Sequence, residues 1–319
     1  MIRLPSPRNP APGVLTRAEA AYLGLALGDA LGATVEFMTP REIRAQYGVH
    51  DSIRGGGWLR LKAGKVTDDT TMSLALGHAI VAGKGTVDAL ACAQALDGWM
   101  RSKPVDIGNT VRRNLVEFRR TGTPCAPPSE LDAGNGAAMR VLPVALATFG
   151  ADDATVQAAV RAQAHVTHNN PDSDAATELV AFLVQGGLRG ASRQAMYRRR
   201  IAPFLREHPQ FAFRPKRRDN PSGWIVETMQ AVLQALLDTA NFEDCLIDVV
   251  NRGGDADTTG AIAGMLAGAL YQPAALPARW LNALDPEIAK ATRAQASALI
   301  DLACARSTNG ESDGAPRHD

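Results

Sequence analysis

No charge of one sign dominates this chain: 34 Lys and Arg stand against 33 Asp and Glu over 319 residues. That balance argues against a surface devoted to nucleic acid or anionic lipid. Cysteine is scarce. Cys92, Cys125, Cys245 and Cys304 form no C-x-x-C pair and no zinc spacing, and they read as reduced thiols of a cytoplasmic protein. No apolar stretch reaches the roughly 20 residues a spanning helix needs, and "MIRLPSPRNPAPG" lacks the apolar core of a signal peptide. Membrane association would have to be peripheral, through a partner. Two-residue alternation is almost missing as well, which leaves little room for a half-buried sheet.

What is present is helical periodicity. Apolar spacing predicts helices near 17–33, 69–83, 86–101, 107–120, 136–149, 152–166, 172–188, 191–206, 222–238, 242–251, 258–271 and 286–304. Thr16, Thr86 and Asp152 are candidate caps. "TGTPCAPPSE" (121–130) and "RPKRRDNPSG" (214–223) are connecting loops. The expected architecture is all-α: one compact multi-helix domain over 16–305, with polar tails at 1–15 and 306–319.

Two predicted helices carry glycine in rows of three, each four residues apart: Gly24, Gly28 and Gly32, then Gly260, Gly264 and Gly268. Glycine costs a helix about 1 kcal/mol relative to alanine, so each row needs a reason. A glycine ridge lets two helix backbones approach closely. These two helices are therefore expected at the crowded centre of the fold, holding whatever lies at their ends rigidly.

Oxygen-rich stretches sit beside helix starts. "VTDDTTMSLAL" offers Thr67, Asp68 and Asp69; "GGDADTT" offers Asp255, Asp257 and Thr258; the first glycine-row helix carries Asp29 and is followed by Glu36. Capping explains one or two oxygens per helix and leaves a surplus. Carboxylates packed this densely repel unless cations or protons intervene. Hard oxygen donors without cysteine suit Mg²⁺ or Mn²⁺, and two ligand sets suit a pair of ions. Neither stretch has EF-hand spacing, and a chain with six histidines is poor in the usual ligands of Asp-rich phosphohydrolases. In "DAGNGAAMRVLP", Gly134, Asn135 and Gly136 precede a helix and could present N–H groups to a phosphate, although the stretch is no P-loop. His165 and His168 end one helix, and Asp106 taken alone reads as a cap.

Taken together and in order, "GLALGDALGATVEF", "VTDDTTMSLAL", "KPVDIGNT", "AGNGAAMR", "THNNPDSDAA", "SGWIVETMQAVLQAL" and "VNRGGDADTTGAIAGMLAGALY" resemble the ADP-ribosylglycohydrolase family over about residues 20–305. "GGGWLRLKAGKVTDD" and "SGWIVETMQAVLQAL" look most like its nitrogenase-regulating members. The resemblance implies an all-α fold with two Mn²⁺ (or Mg²⁺) ions in a cleft. It assigns Thr67, Asp68, Asp69, Asp255, Asp257 and Thr258 as metal ligands. Glu36 matches an acidic base or water-orienting residue, and Asp106 an aspartate that handles the ribose. His168 matches a substrate-cleft histidine, Gly134, Asn135, Gly136 and Met139 the loop at the diphosphate and distal ribose, and Trp224 a position on the substrate's arginine side. Thr71, Trp224 and Asn170 depart from the family's usual Glu or Gln, Tyr and His.

The implied activity is removal of ADP-ribose from an arginine of a modified protein, with nitrogenase iron protein as target and a PII-type signalling protein as controller. The competing readings are hydrolysis of serine-linked or O-acetyl ADP-ribose, and a non-catalytic ADP-ribose binder.

Overall fold

The computed structural model describes residues 13–310, with side chains through 306; the parts of both expected tails at 1–12 and 311–319 lie outside the described residues. Fifteen α-helices follow in order: α1 Val14–Gly32, α2 Pro40–Tyr47, α3 Asp68–Ala82, α4 Ala89–Arg101, α5 Asn109–Thr121, α6 Leu142–Ala147, α7 Asp153–Ala164, α8 Pro171–Leu188, α9 Arg193–Met196, α10 Ala202–Glu207, α11 Ile225–Asp238, α12 Phe242–Val250, α13 Ala256–Tyr271, α14 Ala278–Ala283 and α15 Pro286–Gly310. The only β pairing among the described residues is two isolated bridges, Gly56 with Leu61 and Gly134 with Trp224. No described helix is long and apolar enough to cross a membrane.

Most expected helices are present with shifted ends. Residues 14–15 and 306–310 are helical, so α1 and α15 reach into stretches read as tails. The helix expected over 136–149 shrinks to α6, because Pro143 cannot donate a hydrogen bond and fits only a first turn. The stretch 191–206 breaks into α9, a π-turn at Tyr197–Ile201 and α10, with Pro203 just past the break. Asp152 does cap α7, accepting from Thr155 N at 2.7 Å. Thr86 does not cap α4; Asp88 does, accepting from Ala91 N at 2.9 Å. Gly13, not Thr16, occupies the N-cap of α1. The short α2 and α14 fall outside the expected helices.

At the centre, α1 and α13 are buried on all sides: 15 of 19 residues of α1 and 14 of 16 of α13 are buried. They have no polar face because they have no solvent face. They run antiparallel with a four-residue register. Gly24 meets the carbonyl of Gly264, Gly28 that of Gly260, Gly32 that of Ala256, and Gly268 that of Ala20. A methyl group at any of these glycines would overlap the facing carbonyl. The glycine rows thus set both distance and register, and the antiparallel sense brings the end of α1 to the start of α13.

Candidate active site

Two reciprocal backbone bonds fasten that junction. Phe37 N donates to Gly254 O at 2.7 Å, and Gly254 N donates to Met38 O at 2.9 Å. Gly253 and Gly254 both have φ near +65° to +70° and approach the carbonyls of Met38 and Pro221, so only glycine fits. Glu36 is thereby held against Asp255 and Asp257. Their carboxylate oxygens lie within 4.8 Å of one another, an arrangement able to hold a metal ion.

The start of α3 reaches the same place by a different device. Thr67, at its N-cap, makes no side-chain capping bond. Asp29 of α1 caps α3 instead: Oδ1 accepts from Thr67 N (2.8 Å) and Thr67 Oγ1 (2.9 Å), and Oδ2 from Thr70 N (3.1 Å) and Thr70 Oγ1 (2.5 Å). With capping done from outside, Asp68 and Asp69 are spared for other work. Asp255 likewise stands at the N-cap of α13 without making a capping bond. Neither N-cap residue, Thr67 or Asp255, caps its own helix.

Glu36, Asp68, Asp69 and Asp257 are buried and Asp255 is half-buried. Among the described residues none of the five pairs with Lys or Arg. Burial, reinforced by the neighbouring carboxylates, pushes Glu36 up to about 8 and Asp68 up to about 7, and raises Asp69, Asp255 and Asp257. Asp69 Oδ1 is buried with no hydrogen-bond partner among the described residues. Its other oxygen lies 3.1 Å from Thr67 Oγ1, and the same hydroxyl lies 3.3 Å from Asp257 Oδ2. Crowded, unneutralised carboxylates with an orphaned oxygen fit hard divalent cations such as Mn²⁺ or Mg²⁺.

Above them opens a cleft of about 480 Å³. Glu36, Asp68, Asp106, Gly134, Asn135, Gly136, Met139, His168, Asp255, Asp257 and Thr258 all line it. Thr67 and Asp69 are buried and do not line it. Trp224 does not line it; half exposed, it stands next to the cleft-lining Gly223 and bridges Gly134. Asn135 does something the sequence did not disclose. Its Nδ2 donates to Asp255 Oδ2 (2.5 Å) and Thr228 Oγ1 (3.0 Å), so it orients a carboxylate, while its N–H is taken by Gly223 O. Gly134 and Gly136 are small because the His168 ring lies against them: a Cβ would meet it at 2.9 and 2.7 Å. The N–H groups of Gly136 and Ala137 have no acceptor among the described residues.

Two aromatic residues, Phe37 and Trp58, also line the cleft. Trp58 Nε1 donates to Glu36 Oε2 at 2.6 Å, and the exposed Phe37 ring lies 5.5 Å from that of Trp58. The turn "GGGW" was visible in the sequence, but no local pattern links it to Glu36. The departures are explained in part. Asn170 caps α8 through Asp172 N (2.9 Å), and Thr71 Oγ1 accepts from Trp99 Nε1 (3.0 Å).

The raised carboxyls give a pH signature. A group protonated more strongly in the folded than in the unfolded chain loses stabilisation as pH rises through its folded pKa. Burial lowers His50 and His168, which contributes the opposite sign, but only below their ordinary value near 6.5. Above that, the raised carboxyls of the cluster decide the slope. Metal-free protein is expected to lose ~1–2 kcal/mol, a few degrees in Tm, between about pH 6.5 and 8. Saturating Mn²⁺ is expected to remove the fall, since the ion replaces the protons. Thermal melts in chelator and in Mn²⁺ across this range check it; a flat chelator profile would contradict the repulsion.

An all-helical fold whose two central helices bring a carboxylate cluster to the floor of a cleft defines the class. An ADP-ribosylglycohydrolase family model matches residues 10–311, and the chain belongs to that family. Among individual relatives it is 50% identical over 292 residues to an ADP-ribosyl-dinitrogen reductase glycohydrolase of Rhodospirillum rubrum, covering 92% of this chain and 98% of that one. It is 32% identical to an ADP-ribosylarginine hydrolase of Serratia proteamaculans, over 85% of this chain and 75% of that one. A solved structure described as an ADP-ribosylglycohydrolase-related protein complex superposes with TM-score 0.81 at 34% identity, over 91% of this chain and 99% of that chain.

Proposed function

We propose that this chain hydrolyses the N-glycosidic bond between ADP-ribose and an arginine of a modified protein, with dinitrogenase reductase, the nitrogenase iron protein, as its target. One observation carries the reading: helices far apart in sequence bring Glu36, Asp68, Asp255 and Asp257 into one cleft with Asp106, Asn135 and His168. The 50% identity to a glycohydrolase named for dinitrogen reductase supports the target. Thr67, Asp68, Asp69, Asp255, Asp257 and Thr258 would hold two Mn²⁺ or Mg²⁺ ions. Such ions supply positive charge that orients ribose hydroxyls and acidifies water.

The rest falls to the chain's own groups. Trp58 holds one oxygen of Glu36, leaving the other to take a proton from the attacking water. The water oxygen bonds to the anomeric carbon as the carbon–nitrogen bond breaks. Asp106, half-buried in the cleft wall, delivers the balancing proton to the departing guanidine. Asn135 keeps Asp255 aimed, and the unpaired N–H groups of Gly136 and Ala137 suit the diphosphate, binding remote from the reacting bond. Control by a PII-type protein, and any peripheral membrane association through it, rest on the family resemblance alone.

The test is ADP-ribose release from ADP-ribosylated dinitrogenase reductase, with chelator and with Mn²⁺, beside serine-linked and O-acetyl ADP-ribose substrates. Release from arginine that requires the ion is the expected result. Faster release from serine or acetate would move the assignment to those bonds. ADP-ribose binding without release from any substrate would make the protein a binder.

A further inference from the structure

Arg140 is wholly buried and has no carboxylate partner among the described residues. Its Nε donates to Gln163 Oε1 at 2.9 Å, and its Nη2 donates to Gln163 O at 2.9 Å and to Thr167 Oγ1 at 2.8 Å. Gln163 is itself fixed, because its Nε2 donates to Ala137 O at 3.1 Å. Nη1 is buried with no partner among the described residues. A buried guanidinium with incomplete hydrogen bonding is costly, and packing alone gives no reason to keep one.

Proton counting along the contacts supplies a reason. A guanidinium only donates, so Thr167 Oγ1 must accept from Arg140. Among the described residues the hydroxyl's single proton then has one acceptor, His168 Nδ1 at 2.8 Å. Nδ1 therefore accepts, and in a neutral ring the remaining proton must sit on Nε2. The ring lines the cleft with Nε2 beside Gly134 and Gly136, and Nε2 has no protein partner among the described residues.

We infer that Arg140 and Thr167 are positioning residues that lock His168 as a neutral Nε2–H donor, which hydrogen-bonds an oxygen of the bound ADP-ribose and serves neither as base nor as metal ligand. Burial, with Arg140 and Arg113 nearby, lowers His168 to about 3, which keeps the ring neutral. The ligand named here rests on the proposed function; the tautomer does not.

Long-range proton–nitrogen NMR on histidine-labelled protein reads the tautomer, with His168→Gln identifying the signal. The wild type is expected to show bare Nδ1 and protonated Nε2, unchanged between about pH 5 and 8, where an ordinary histidine titrates. Thr167→Val is expected to mix the tautomers and weaken ADP-ribose binding roughly tenfold by calorimetry, and Thr167→Ser to restore both to within about twofold. Protonated Nδ1 in the wild type, with ADP-ribose binding intact, would overturn the relay alone. So would a valine variant with unchanged tautomer and affinity. If the valine variant does not fold, the wild-type spectrum and the serine variant still decide. A wild type with the expected tautomer and no affinity for ADP-ribose would overturn the hydrolase reading and the donor role together, leaving the tautomer standing.

Discussion

Replacing Asp257 with asparagine is expected to lower ADP-ribose release by at least about 10³-fold, ~4 kcal/mol of transition-state stabilisation, without destabilising the metal-free protein. Two opposite consequences follow from one position. Asp257 is 2% exposed, and burial together with Glu36, Asp69, Asp255 and Asp29 raises its carboxyl well above the ordinary range. Asparagine has nearly the same shape and keeps an oxygen for Thr258 N, now 2.8 Å from Oδ1. It removes a charge that its neighbours repel in the absence of cations, so the metal-free melting temperature should hold or rise. The same charge is what would draw divalent ions to the floor of the cleft, so Mn²⁺-dependent thermal stabilisation should largely disappear. Activity assays with melts in chelator and in Mn²⁺ read all three effects. An active variant would remove Asp257 from the ligand set. An inactive variant that melts well below the wild type without metal would show that the carboxylate matters for folding instead.

The second large effect is structural. Gly28→Ala should destabilise the protein by about 3 kcal/mol or more, because overpacking that requires backbone movement exceeds the usual 1–3 kcal/mol range. Alanine is the better helix former by about 1 kcal/mol, but that gain is smaller than the steric cost. The new methyl would overlap the Gly260 carbonyl and meet Ala261 N at 2.9 Å, both backbone atoms of a fully packed helix. Spreading α1 from α13 would also carry Glu36 away from Asp255 and Asp257, so activity should fall in whatever fraction remains folded; a displacement near 1 Å can cost about 10²-fold. Gly98 in α4 is the control, since it is exposed and a Cβ there meets nothing within 4 Å. Gly98→Ala should stabilise the protein by ~0.5–1 kcal/mol. Denaturation of both variants decides; similar effects would mean that the glycine rows are merely tolerated.

Residues whose role is local were readable in advance. Asp152 caps the helix that follows it, and the glycine rows announced a close helix pair, because each pattern carries its physical reason within a few residues. Pro143 is a local signal too: a residue without an N–H shortens the helix expected over 136–149. Asp88 shows how loosely a cap is specified when two candidates stand two residues apart. Asp29, Asn135, Trp58 and Arg140 belong to another category, since each acts on a group distant in sequence. Nothing near Asp29 reveals that it caps the start of α3, 38 residues on.

By itself the sequence determined an all-helical chain, a glycine-spaced central pair, and two oxygen-rich helix starts with more carboxylates than capping requires. Those features follow from periodicity, backbone sterics and charge repulsion, which act over short spans of chain. Only the tertiary structure decided that Glu36 stands with Asp255 and Asp257, that Asp29 rather than Thr67 caps α3, and that Asn135 steers a carboxylate. Each depends on the antiparallel register of α1 and α13, which packing of distant segments sets and no single segment contains.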